Sequence, residues 1–191
     1  MAIVSQGGKA PRRQAALAAA VLVALGLAGC GSSSSSGATE TPAVPCPAVS
    51  VLSDGASLTR FRDGGGQTPD DVVYTVEVLD AKGICQPAAN GQVTVDVGLS
   101  IVARRGPAGK DVTGITVPYF LALTETNTRV ISRASYETQI PLDRGKPGGG
   151  ILEHLTVTVP LDGKSPYAFE LIGGLQISAA ELDEGRRRRG R

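Results

Sequence analysis

QVTVDVGLSI, residues Gln92–Ile101, decides the fold. Val93, Val95, Val97, Leu99 and Ile101 fall on alternate positions, with Gln92, Thr94, Asp96 and Ser100 between them. A strand points successive side chains to opposite faces, so a strict period of two marks a half-buried β-strand. The same pattern recurs on both sides of this stretch. Val72, Tyr74, Val76 and Val78 form one set, and Ile115, Val117, Tyr119, Leu121 and Leu123 another. Ile151, Leu155, Val157 and Val159 follow, then Tyr167, Phe169, Leu171, Leu175 and Ile177. Val130, Ala134, Tyr136 and Ile140 give a weaker strand pattern. Ala48–Leu52 and Ser57–Phe61 read as short edge strands.

Turn residues separate these runs. Ala81-Lys82-Gly83, Pro87 to Gly91, Gly106 to Gly109 and Gly145 to Gly150 read as breaks, and Thr126-Asn127 and Asp162-Gly163 as tight hairpins. Strands with one apolar face each call for two sheets packed face to face. The expected fold is all-β: a two-sheet β-sandwich, immunoglobulin-like, of about seven strands, with a small barrel as the alternative. The Cys…Trp…Cys pattern of true immunoglobulin domains is missing, since the chain has no Trp. Ser178-Ala179-Ala180-Glu181 matches a capping box, which predicts a short helical turn after the last strand.

Composition agrees with a β-rich chain. The 191 residues are 41% hydrophobic but only 4% aromatic, so the core is aliphatic, and 25 Gly and 12 Pro supply turns. The net charge of +1 conceals an asymmetry. Three of the 19 basic residues precede residue 30 and five follow residue 185, so the 11 between them face all 18 acidic residues. Nucleic-acid binding rests on phosphate neutralisation, and so acidic a body argues against it.

The first 29 residues read as an address. Residues 1–13 are polar and carry Lys9, Arg12 and Arg13, and AALAAAVLVALGLA, residues 15–28, is uninterruptedly apolar. These are the two regions of a secretory signal, and fourteen residues fall short of the ~20 that span a bilayer. Leu27-Ala28-Gly29-Cys30 then resembles the lipobox of bacterial lipoproteins. That resemblance implies cleavage before Cys30 and diacylglycerol on its thiol. An uncleaved anchor or an ordinary secretory signal are the other readings. Gly31, Ser32–Ser36 and Gly37 suit a flexible spacer, and residues 30–45 as a whole read as a lipidated linker. In Gram-negative lipoproteins an Asp after the lipid cysteine tends to retain the protein in the inner membrane; Gly31 in that place implies the outer membrane, periplasmic face. The serine-rich spacer would also suit a Gram-positive lipoprotein.

With Cys30 taken by lipid, Cys46 and Cys85 remain of the three cysteines. An oxidising envelope makes a disulfide the default, worth roughly 4 kcal/mol for a loop of about 40 residues. A redox-active pair is the weaker alternative, because no CxxC is present. Residues 46–184 are then the folded domain and 185–191 a disordered basic tail. Cys46-Pro47 followed by Leu58-Thr59-Arg60-Phe61 resembles the opening of small alphaproteobacterial envelope lipoproteins, over residues 46–178; that resemblance carries no activity.

Little else carries chemistry. His154 alternates onto the face opposite Leu155 and Val157, an expected solvent position. No GxSxG, HExxH or paired CxxC occurs, so no catalytic, cofactor-binding or metal-ligating residue is assigned. Asp63, Asp70 and Asp71 flank Gly64-Gly65-Gly66 but lack a Ca²⁺-loop spacing; a solvated, mobile loop is expected. Arg60, Phe61 and Arg62 are the candidate contact for an anionic partner, or pair with Asp63 and Asp54 at a sheet edge. The expected function is a non-enzymatic, membrane-anchored lipoprotein that acts by contact with another envelope protein. A small-ligand or cation-binding module using the loop acids is one alternative. An enzyme with an unrecognised carboxylate site is the other.

Overall fold

The computed structural model describes residues 44–126 and 129–190. The signal segment 1–29, Cys30 and most of the linker lie outside the described residues. Eight strands, one more than expected, form two four-stranded sheets. The first sheet has the order β1-β8-β5-β6, with β1 Ala48–Val51, β5 Gly114–Glu125, β6 Arg129–Pro141 and β8 Phe169–Leu175. The second has the order β2-β3-β4-β7, with β2 Ser57–Phe61, β3 Val72–Cys85, β4 Gln92–Arg105 and β7 Gly148–Pro160. All neighbours are antiparallel except β1 and β8, which run parallel.

The alternating sets meet between the sheets as their pattern requires. Val93, Val95, Val97, Leu99 and Ile101 of β4 are buried against Ile115, Val117, Tyr119, Leu121 and Leu123 of β5, with Leu171 and Leu175 of β8. Each such side chain removed from water contributes about 1.5–3 kcal/mol. The aliphatic core is therefore the main support of the fold. Arg105, at the end of β4, donates to the carbonyls of Val112 at 2.9 Å and Leu142 at 2.6 Å, and so ties two loops to the sheet end.

Three readings of turns and one of a strand residue need correction. Ala81-Lys82-Gly83 is not a turn: β3 runs through it to Cys85. A bulge explains the misreading. Val78 pairs with Ile101 and Asp80 with Ser100, so Leu79 has no partner on β4. Inward positions are even-numbered up to Val78 and odd-numbered from Ala81 onward, while Leu79 is left 60% exposed. Gly83 lets β1 approach: a Cβ there would lie 2.5 Å from Cγ2 of Val49. Gly148 to Gly150 likewise belong to β7, where a Cβ on Gly149 would lie 2.1 Å from the carbonyl oxygen of Pro141. Asp162-Gly163 does turn, with φ of 48° and 78°, but β7 and β8 lie in different sheets, so it is a crossover and not a hairpin. Tyr167, expected on the inner face of the last strand, is exposed in a single 3-10 turn before it.

Cys46 and Cys85 form the expected disulfide, with Cα atoms 5.6 Å apart. It fastens the chain entering β1 to the end of β3. The helix at the other end, α1, spans Ala179–Arg189 and is longer than one turn. Ser178 caps it, with Glu181 closing the capping box. It takes in residues expected as a disordered tail. Glu184 holds Arg187 at 2.8 Å and Arg188 at 2.8 Å one turn on, and acids at the start with arginines at the end match the helix dipole. No helix among the described residues is long and apolar enough to cross a membrane.

Candidate interaction surface

The Arg60–Phe61–Arg62 cluster does not present a free cationic grip. Arg60 reaches Glu181 of α1 at 2.8 Å, and Arg62 reaches Asp71 at 2.6 Å. The guanidinium of Arg188 sits 4.6 Å over the Phe61 ring, and Arg186 pairs with Asp54. The partners are thus Glu181 and Asp71, not Asp54 and Asp63 as the local sequence suggested. The consequence is structural: α1 packs along β2, an edge strand of the second sheet.

The loop acids are not brought together. Asp63 and Asp70 are exposed, while Asp71 is buried. The Asp71 carboxylate accepts from the Thr68 hydroxyl at 2.6 Å and pairs with Arg62. The Thr68 hydrogen bond, with Arg62 behind it, holds the carboxyl below its usual range. Asp71 thus pins the loop that was expected to be mobile. No group of three metal-ligating side chains occurs among the described residues. His154 is exposed, as its alternation predicts.

The opposite side of the sandwich is built differently. There β6 and β7 are the edge strands of their sheets, each thirteen residues long, with no element of the described chain laid over them. At one end the two sheets touch, at Gly149 and Pro141. One step along, Glu153 points inward from β7. Its Oε2 accepts from the Tyr119 hydroxyl at 2.8 Å and its Oε1 from the Thr138 hydroxyl at 2.6 Å. Tyr119 in turn stacks on Tyr136, with ring centroids 5.3 Å apart. Burial first, and then the Glu153 carboxylate, push the Tyr119 phenol well above its ordinary value.

Beyond this clasp the sheets part. Ile140 and Thr138 are buried and Tyr136 is half-buried, but residues 129–135 of β6 are all exposed. Val130, at 63% exposure, is among the most open apolar residues described. A groove of about 260 Å³ opens between the strands here. Its floor includes the buried core residues Leu121, Leu123 and Leu171, and Ala134, Tyr136 and Val157 form its walls. The side therefore offers free backbone donors and acceptors on β6 and β7 and an apolar slot between them.

Sequence reading missed Glu153, Tyr119 and Thr138 as a unit. The signal was present: Glu153 occupies an inward position between Ile151 and Leu155, where an acid must find hydrogen-bond donors. Comparisons with protein-family models, with curated proteins and with solved structures find no match to this chain.

Proposed function

We propose that the protein is an envelope lipoprotein, joined to lipid through Cys30 and held at the periplasmic face of the outer membrane. There it acts by protein contact through the β6–β7 side. The observation that carries the contact reading is the contrast between the two sides of the sandwich: α1 packs along β2, while the edge strands β6 and β7 carry no such helix and part over an apolar groove beyond the Glu153 clasp. Monomeric proteins normally shield long edges, so an unshielded pair marks a surface for another chain. The lipobox pattern at Leu27–Cys30 and the serine spacer support the anchor. A disulfide between Cys46 and Cys85 supports an oxidising compartment. The anchor is durable physically because each buried methylene contributes about 0.8 kcal/mol and two or three chains hold firmly.

The immunoglobulin-like assignment is the finer reading of the fold. Two facing, mainly antiparallel sheets with repeated crossings between them support it. The orders 1-8-5-6 and 2-3-4-7 differ from the immunoglobulin orders, so the kinship is one of architecture.

Membrane fractionation with intact-mass measurement tests the anchor. Wild-type protein is expected in the membrane fraction, with a mass starting at Cys30 plus lipid. Cys30→Ser should be unlipidated and misprocessed. Unchanged mass and unchanged fractionation in the variant would refute the anchor.

A further inference from the structure

We propose that the exposed edge of β6 pairs with β6 of a second copy of this chain, antiparallel and centred on Ser135. The inference rests on the reading of the β6–β7 side as the working surface and names its occupant. One seven-residue segment of β6, Ser132-Arg133-Ala134-Ser135-Tyr136-Glu137-Thr138, is complementary to itself. Folded onto itself about Ser135, it sets Arg133 opposite Glu137 of the second copy, and the two-fold axis repeats that pair. Both residues are exposed, and both lie on the outer face of the sheet, since they pair with Ala122 and Pro118 of β5. On the inner face the same register sets Ala134 against Tyr136, small against large, and Ser132 beside Thr138, whose hydroxyl stays on Glu153. Directly opposed side chains are close enough for each of these pairs to interact.

The limits of the segment have structural causes. Ile131 is the extra residue of a bulge, because Ser132 pairs with Leu123 and Val130 with Thr124. Regular pairing therefore stops at Ser132 on one side, and by symmetry at Thr138 of the second copy. β7 has no equivalent register: its one carboxylate, Glu153, is bonded inside the sandwich. Pairing of β6 with its copy joins the two first sheets into one of eight strands. The joined edges are closed by symmetry, so the assembly stops at two. Tethering both copies to one membrane raises their effective concentration for this contact.

The experiment uses the full chain in its native membranes, carrying Ser135→Cys or Gln139→Cys, with mild oxidation and non-reducing analysis. In the proposed register two copies of residue 135 face each other, within disulfide reach. Two copies of residue 139 lie about 27 Å apart along the ladder. Ser135→Cys is therefore expected to give a disulfide-linked dimer and Gln139→Cys at least about tenfold less. Arg133→Glu or Glu137→Arg, added singly to Ser135→Cys, should each weaken the crosslink by about tenfold, and the two together should restore it. Restoration distinguishes charge pairing from loss of the Arg133 contact with the Phe120 ring, 4.3 Å away. A double variant as weak as the singles overturns the register. An adduct between residue 135 and a different protein overturns the second copy and leaves the contact reading standing. No adduct at residue 135 with anything overturns both.

Discussion

The hydroxyl of Tyr119 on β5 donates to the carboxylate of Glu153 on β7 over 2.8 Å, and so joins the two sheets next to the point where they part. Thr138 donates to the second oxygen of the same carboxylate, so three strands meet at one group. Glu153→Ala leaves two buried hydroxyls without their acceptor. Hydrogen bonds to a charged group contribute about 1.5–3 kcal/mol, so the variant should lose about 2 kcal/mol in urea unfolding. A double-mutant cycle with Tyr119→Phe should reveal coupling between the two positions; strict additivity would contradict the clasp.

The same bond predicts a pH dependence. The Tyr119 phenol is raised above its ordinary value of 10.0, so the folded state favours the protonated form. Its contribution is full below about pH 10 and is lost as pH rises above that, because the unfolded chain releases the proton first. Ultraviolet titration should find Tyr119 ionising above its ordinary value. Tyr119→Phe should flatten the alkaline loss of stability relative to the wild type.

The bulge at Leu79 predicts opposite outcomes for Asp80 and Ala81, because unbroken alternation from Val78 would turn residue 80 inward and residue 81 outward. Asp80→Ser, at an exposed position, should change stability by less than about 0.5 kcal/mol. Ala81→Lys would set a charge against the core opposite Leu99 and should cost more than about 2 kcal/mol. A larger cost at residue 80 than at residue 81 would refute the phase shift.

The Cys46–Cys85 bridge closes a separation of 39 residues. Replacing both with Ala should lower stability by about 4 kcal/mol. Hydrogen exchange should rise first in β1, a four-residue strand that this bridge fastens to β3.

Helix α1 is held to β2 by the Arg60–Glu181 ion pair and by Arg188 on Phe61, and to the turn before β2 by Arg186 on Asp54. Truncation after Ser178 should leave the melting temperature nearly unchanged and raise hydrogen exchange at residues 57–61. Unchanged exchange there would mean that the helix does not shield the edge.

The inward faces of β4 and β5 could be read directly from the chain, because a period of two in Val, Leu and Ile leaves a single choice of buried face. The disulfide followed once Cys30 was assigned to lipid. What escaped reading depended on distant partners. Arg60 finds Glu181 only because α1 folds back on β2, and nothing near Arg60 in sequence signals it. Leu79 broke the alternation by one residue, so a continuing strand looked like a turn at Ala81-Lys82-Gly83. Glu153 was passed over because an acid in an apolar series reads as an interruption until Tyr119 and Thr138 are seen to meet it. The arginines at the end of α1 looked disordered as a block of like charge, whereas Glu184 one turn earlier neutralises two of them.

Residue-specific photocrosslinking in intact envelopes tests the central claim most directly. One copy of the full chain carries the photoreactive side chain at Ser132, exposed on the β6 edge, and another carries it at Thr59, half-buried on β2 beside Glu181 and Glu184 of α1. A reproducible protein adduct is expected from residue 132 and none from residue 59. No adduct from residue 132, or equal adducts from both positions, would contradict the claim.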